Sequence, residues 1–150
     1  MASAKDVKKL RDATGVSVMQ CKKALEEAGG DLERALEILK EKGSAVAAKK
    51  ADRDLGAGTV AAYVHATKEI GAMVVLRSET DFVAKNNEFT ALAYDIAMQV
   101  AATAPADVEA LLAEPFIKDQ ERAVKDLVDA ATQKFGERIE VAEFTRYTTQ

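Results

Sequence analysis

The chain has few of the residue types from which enzymes usually build catalytic sites. Its 150 residues include one histidine, one cysteine and no tryptophan. His65 would have to serve alone in any histidine-based triad or metal site, which argues against both. Cys21 has no second cysteine for an internal disulfide, and this fits a reducing compartment. We therefore expect no catalytic residue, no bound metal and no cofactor, and we expect binding rather than catalysis.

Long hydrophobic runs are also absent. No apolar stretch approaches the roughly 18 residues that a membrane span needs. The N-terminus, M-A-S-A-K-D-V-K-K, has no apolar region after its charges, so it does not read as a signal peptide. These absences predict a cytoplasmic protein with no membrane partner.

The net charge of −4 is distributed unevenly along the chain. Residues 1–55 contain 12 Lys and Arg against 10 Asp and Glu, whereas residues 56–150 contain 9 against 15. A protein that binds phosphate groups needs a basic face. The acidic C-terminal part therefore argues against nucleic acid as a direct partner.

The first 45 residues carry the signals of three short helices. One ends near Thr14 and Gly15, and Ser17 with Gln20 three residues later has capping-box spacing for the second. Asp31 is a suitable N-cap for the third, and Gly43 is expected to end it. Links this short predict a compact three-helix domain over residues 1–45. A segment rich in Ala and charge follows over residues 46–57; it could continue as helix before breaking at Gly56 and Gly58, and functionally it is a linker.

The pattern changes to strands after the linker. Residues 59–66 and 72–78 predict an antiparallel hairpin, and residues 87–102 show helical spacing up to Pro105. Residues 106–114 form a short connection to a second helix, which Gly136 closes. A last strand over residues 138–147 completes a β-β-α-α-β order. The predicted fold class is α+β, with a core domain over residues 58–150 that contains a small antiparallel sheet.

The stretch S78-E-T-D-F-V-A-K-N86 lies where a strand gives way to a helix. In one interpretation Thr80 or Asp81 caps a short helix, and Phe82 packs into the core. In the other, the loop projects a carboxylate and an aromatic ring outward together, as loops on rigid scaffolds do when they bind partners. The residues alone leave both interpretations open.

Three motifs resemble the family of bacterial translation elongation factor Ts, the nucleotide-exchange partner of elongation factor Tu. The signature-like stretch is E79-T-D-F-V-A-K-N86, and the N-terminal matches are L10-R-D-A-T-G15, C21-K-K-A-L25 and A48-K-K-A51. The third match lies around Pro115–Asp119 and R138-I-E-V141. The resemblance covers nearly the whole chain. It implies a domain of the ubiquitin-associated type with three helices, followed by an α+β core.

The resemblance also implies which residues contact the partner. Thr80, Asp81, Phe82 and Val83 match the loop that acts on the magnesium site of the GTPase. Val18 and Met19 fall where the family's N-terminal domain touches the same partner domain, although this chain reads G15-V-S-V-M19 where the family commonly reads G-A-G-M-M. The prediction is a guanine nucleotide exchange factor for elongation factor Tu in its GDP-bound and nucleotide-free states, without covalent chemistry.

The sequence also departs from longer members of the family, which carry a second copy of the core and a protruding helical hairpin. Residues 106–114 are too few for such a hairpin. A homodimer of this chain could supply the missing surface. The alternative function is a protein-interaction adaptor that binds another protein through its three-helix module.

Overall fold

The computed structural model describes residues 2–150, which divide into two compact units. The first unit comprises the residues up to Asp52 together with Asp129–Glu137, and the second comprises Arg53–Val128 with Arg138–Gln150. The predicted domain boundaries at residues 45 and 58 stay a prediction. The secondary-structure elements are α1 Ala4–Thr14, α2 Val18–Glu27, α3 Leu32–Lys49, β1 Ala57–Val64, β2 Ile70–Ser78, α4 Asp81–Ala84, α5 Asn87–Thr103, α6 Val108–Ala113, β3 Pro115–Phe116, β4 Asp119–Ala123, α7 Val124–Phe135 and β5 Glu140–Thr148.

Side-chain caps set the starts of the N-terminal helices. The Ser17 hydroxyl accepts a hydrogen bond from the Gln20 amide at 3.3 Å. Asp31 accepts from the amides of Glu33 and Arg34 at 3.0 and 3.3 Å. Each cap satisfies backbone donors that have no partner within the helix. Both predicted caps are confirmed.

An aliphatic core holds these helices together. Its buried side chains come from all three helices and from the turn after α1, and burial of such apolar surface is the main stabilising contribution to a small bundle. The core residues are Leu10, Val16, Cys21, Ala24, Leu25, Ala35, Ile38 and Leu39.

The prediction that Gly43 ends the third helix is wrong, because α3 continues to Lys49. Gly43 is buried within the helix and lies against α7 of the same unit. A Cβ atom at this position would be 3.3 Å from Oε1 of Gln133 and 3.6 Å from the carbonyl oxygen of Asp129. Among the described residues, the only tight neighbour is thus the flexible end of a side chain, and the alanine-rich residues that follow Gly43 favour continuation of the helix.

The second unit is built on a three-stranded antiparallel sheet with the order β1-β2-β5. The predicted hairpin is confirmed, with Ala57 opposite Ser78 at one end and Val64 opposite Gly71 at the other. β5 pairs with the other edge of β2, so that β2 is the central strand. The α+β fold class and the β-β-α-α-β order are confirmed.

The helix α5 packs against β1 and β2 and buries its apolar residues there. It ends at Thr103, ahead of Ala104 with a φ of 51° and Pro105, as the sequence predicts. Its buried residues include Phe89, Ala93, Ile96, Ala97, Val100 and Ala101.

The region between α5 and α7 holds more secondary structure than predicted. The helix α6 occupies part of the expected connection, and β3 and β4 form a separate two-stranded sheet. The buried side chain of Gln99 donates to the carbonyl of Pro115 at 3.1 Å and accepts from the amide of Ile117 at 2.9 Å. These elements are too short to produce a hydrophobic period, which explains why the sequence pattern does not reveal them. No helix within residues 2–150 is long and apolar enough to cross a membrane.

Candidate functional site

The conspicuous surface of the second unit is the single helical turn α4, which directly follows the central strand β2. The Thr80 hydroxyl caps its start by accepting a hydrogen bond from the Val83 amide at 3.4 Å. The Lys85 amide closes the turn on the carbonyl of Asp81 at 3.0 Å. Asn86 then caps α5 by accepting from the Glu88 amide at 2.8 Å. Two caps within seven residues fix the path of the chain through this corner.

The turn α4 separates buried from exposed side chains sharply. Val83 and Ala84 are buried, and Asp81 is exposed. The ring of Phe82 is 86% exposed. The interpretation that places Phe82 in the core is therefore wrong, and the one in which the loop projects a carboxylate and a ring outward agrees with the structure. Among the exposed large hydrophobic side chains of residues 2–150, the ring of Phe82 is the most exposed, and it directly follows the exposed Asp81.

The segment that enters α4 is fixed from inside the protein. Ser78, the last residue of β2, is fully buried, and its hydroxyl donates to the carbonyl of Thr80 at 3.0 Å. Thr80 itself has extended backbone angles, with φ −124° and ψ 153°. The chain thus leaves the sheet in a defined direction before the helical turn begins.

Glu79 is a further functional candidate at this corner, and the sequence pattern does not assign it a role. Its side chain is 16% exposed, and Oε1 lies 3.3 Å from Nη1 of Arg53. Its Oε2 accepts the backbone N–H of Arg138. Nη1 of Arg138 donates to the carbonyl of Arg53 at 2.7 Å, so that Glu79, Arg53 and Arg138 are each connected to the other two. In the sequence Glu79 directly follows one predicted strand and Arg138 begins another, but the sequence pattern does not show that the two residues face each other.

Val18 and Met19 occupy the first turn of α2, directly after the Ser17 cap. Their side chains are 51% and 68% exposed. They belong to the unit of N-terminal helices, whereas Asp81 and Phe82 belong to the other unit. The sequence-predicted contact residues are therefore surface residues in both units, with the exception of Val83, which lies in the core and anchors α4.

The cysteine and the histidine of the chain lie outside this corner. The Cys21 thiol is buried and donates to the carbonyl of Val16 at 3.6 Å, and burial raises its pKa, which keeps it protonated and unreactive. Nδ1 of the exposed His65 lies 2.9 Å from the Tyr63 hydroxyl. Within residues 2–150, no three His, Cys, Asp or Glu side chains are grouped so that they could hold a metal ion.

Comparison with known proteins agrees with the motifs at this corner. A family model described as "Elongation factor TS" matches residues 79–150, which begin at Glu79 and include the whole of α4. Elongation factor Ts of Thermosipho melanesiensis is 39% identical, and the alignment covers 99% of this chain and 98% of that protein. The chain belongs to the elongation factor Ts family. Elongation factor Ts of Desulforamulus reducens is also 39% identical, over 97% of this chain and 88% of the relative.

Two of the relatives are longer than this chain. The alignment with the Thermosipho melanesiensis protein spans 193 positions although this chain has 150 residues, so at least 43 positions of the relative have no counterpart here. Elongation factor Ts of Clostridium tetani is 43% identical over 150 positions, which cover all of this chain and 49% of the relative. Parts of these two relatives therefore have no counterpart in this chain.

Proposed function

We propose that this chain promotes the release of GDP from elongation factor Tu and does so without covalent chemistry. Two independent observations support the proposal. The chain belongs to the elongation factor Ts family, and the loop that carries the family signature holds Phe82 and Asp81 in solvent on a firmly anchored turn. The exposed ring of Phe82 is the observation that carries the proposal, because it gives the loop a group that can displace part of another protein.

The magnesium ion of the GTPase is the target of this loop. In GTPases the ion bridges phosphate oxygens and protein ligands, and it demands near-ideal octahedral geometry. A small displacement of one ligand or of the helix that carries it therefore weakens the hold on GDP. Phe82 supplies the steric wedge, and the Asp81 carboxylate supplies a charge that disturbs the site. Thr80 and Val83 hold the turn in place.

Rigidity of the turn is part of the mechanism. A flexible loop would lose conformational entropy on insertion, and that loss would weaken binding. Here the caps at Thr80 and Asn86 and the buried Val83 order the turn before any partner arrives. The free energy of docking is then available to distort the nucleotide site.

Exchange needs no energy source, because the factor and GDP weaken each other reciprocally. If the factor lowers the affinity of elongation factor Tu for GDP by some ratio, GDP lowers the affinity for the factor by the same ratio. Each tenfold increase in this coupling ratio corresponds to about 1.4 kcal/mol of coupling free energy. The chain thus binds both the GDP-bound and the nucleotide-free GTPase, and it binds the latter more tightly.

Val18 and Met19 add a second contact, which strengthens docking equally in both nucleotide states. Their exposure at the capped start of α2 supports this role, and it also favours the alternative of an adaptor that uses the three-helix module alone. Capture from a bacterial lysate separates the two functions. Recovery of elongation factor Tu that excess GDP releases supports exchange, and recovery of other proteins with no elongation factor Tu supports the adaptor.

A homodimer stays a prediction from the sequence. Sedimentation equilibrium of the isolated chain measures it directly, since the monomer mass is 16.1 kDa. A species of twice that mass at micromolar concentration would support self-association, and the monomer mass alone would reject it.

A further inference from the structure

We infer that Glu79 is a positioning residue for Asp81 and Phe82. Its carboxylate ends the backbone pairing of β2 with β5, so that the chain can turn from the sheet into α4. The inference rests on the proposed function. Glu79 stands between the last residue of β2, Ser78, and the cap of α4, Thr80. It is therefore the residue at which the chain changes from sheet to helical turn.

The strand register explains how this carboxylate acts. β2 and β5 are paired up to Arg77 opposite Glu140, so Glu79 stands at the position that would face Arg138 two residues further along. In a continued ladder the amide of Arg138 would donate to a backbone carbonyl. It donates instead to the side chain of Glu79. The side chain takes the place of the ladder acceptor, and the backbone after Glu79 is free to leave the sheet.

The second carboxylate oxygen joins the start of β1 to the same point. Arg53 precedes β1, and its guanidinium lies 3.3 Å from Oε1 of Glu79. Arg138, which precedes β5, donates to the carbonyl of Arg53 at 2.7 Å and pairs with Glu140 at 2.8 Å. The end of β2 is thus tied to the segments that precede both neighbouring strands. The tie at Arg53 contributes little by itself, because that guanidinium is more than half exposed.

Glu79 does not contact the partner itself and acts only by holding α4 in place. Its role therefore differs from that of the proposed contact residues, Asp81 and Phe82. Its side chain is mostly buried, while Asp81 and Phe82 stand in solvent two and three residues later. Loss of the carboxylate leaves the Arg138 amide without its acceptor. Because an unsatisfied donor costs free energy, the backbone around Glu79 is expected to rearrange. The direction of Phe82 would then vary, although no contacting group has been removed.

Amide hydrogen exchange of the isolated protein tests whether Glu79 stabilises the conformation of α4. The variants are Glu79→Ala, Glu79→Gln and, as a matched control, Glu69→Ala, which removes an exposed carboxylate at the opposite end of the sheet. Glu79→Ala should speed exchange of the Val83 and Ala84 amides about tenfold or more relative to the Val74 amide of the central strand, because hydrogen bonds to charged groups are among the stronger ones. Glu79→Gln, whose amide oxygen can still accept from Arg138, should fall between Glu79→Ala and the wild type. Equal acceleration at all three amides, or no difference from Glu69→Ala, would overturn the inference.

The coupling ratio tests the consequence for exchange. It is the affinity for nucleotide-free elongation factor Tu divided by the affinity for the GDP-bound form. Glu79→Ala should lower this ratio about tenfold, on the same hydrogen-bond scale, and change the affinity for the nucleotide-free form less. A wild-type ratio of one overturns the proposed function. A wild-type ratio well above one that Glu79→Ala leaves unchanged overturns only the role of Glu79.

Discussion

Phe82 and Val83 are neighbours in the chain, yet the first is 86% exposed and the second 4% exposed. One helical turn produces this contrast, since successive residues of a helix point about 100° apart. Val83 anchors the turn to the core, and Phe82 faces solvent from a fixed backbone. An aromatic side chain usually gains free energy by burial. This one is held where only a partner can bury it.

Phe82→Ala should leave stability almost unchanged. The ring makes little contact with its own chain, and exposed substitutions usually alter the free energy of unfolding by about 0.5 kcal/mol or less. Phe89→Ala is the matched control, because Phe89 is fully buried in α5 and its truncation should cost about 3–5 kcal/mol. Chemical denaturation of both variants measures the difference. Equal losses would mean that Phe82 is part of the core in solution.

Thr80→Ala should loosen α4. The Thr80 hydroxyl accepts from the Val83 amide, and loss of an N-cap side chain typically costs about 0.5–2 kcal/mol. Thr80→Ser keeps the hydroxyl and should behave nearly as the wild type. Thermal melts together with rates of stimulated GDP release measure both effects. If the alanine and serine variants behave alike, the cap does not hold the turn.

Two glycines should respond in opposite directions to alanine. Gly43 lies inside α3, where alanine favours the helix by about 1 kcal/mol, and the nearest obstacle is the flexible end of Gln133. Gly58 lies in β1, and a Cβ there would be 2.9 Å from the backbone oxygen of Leu76. Gly43→Ala should therefore raise or preserve the melting temperature, and Gly58→Ala should lower it. The reverse order would contradict the close approach described for β1.

Cys21 should contribute to stability below its ordinary pKa and lose that contribution at alkaline pH. Burial raises the pKa of the folded thiol, so the unfolded chain ionises first as pH rises. Stability then falls between the ordinary and the folded pKa, by up to about 1.4 kcal/mol per pH unit for one proton. The free energy of unfolding between pH 7 and 10 should fall less steeply in Cys21→Ala. Parallel curves for the two proteins would remove this role of the thiol.

Local signals predict much of this fold, and contacts between distant segments account for the rest. Ser17 and Asp31 have their capping partners within three residues, so the sequence reveals these helix starts. The sequence pattern wrongly predicts a helix end at Gly43, because the alanine-rich residues after it continue the helix to Lys49. The sequence pattern does not predict the sheet of β3 and β4, because β3 has only two residues and is too short to show the alternation of a strand. The acceptor role of Glu79 depends on register, which pattern alone does not fix.

The resemblance to the family indicates the candidate site more clearly than the physical pattern of its residues does. At a strand-to-helix boundary, the residues alone allow Phe82 to be core or surface, and only the structure decides between them. The capping role of Thr80 could be predicted from its side chain, since its partner Val83 is three residues away. The contacts of Asp81, Phe82, Val18 and Met19 with elongation factor Tu stay predictions.

The rate of GDP release from elongation factor Tu tests the central claim most directly. Fluorescent GDP is loaded on the GTPase, chased with unlabelled GDP, and followed with no factor, with the wild-type chain, and with the Asp81→Ala, Phe82→Ala double variant. The wild type should accelerate release. The double variant should lose most of that acceleration while it keeps most of its affinity for the nucleotide-free GTPase, whereas a Val18→Ala, Met19→Ala variant should lose affinity and keep the coupling ratio. A double variant that accelerates release as fully as the wild type would contradict the account.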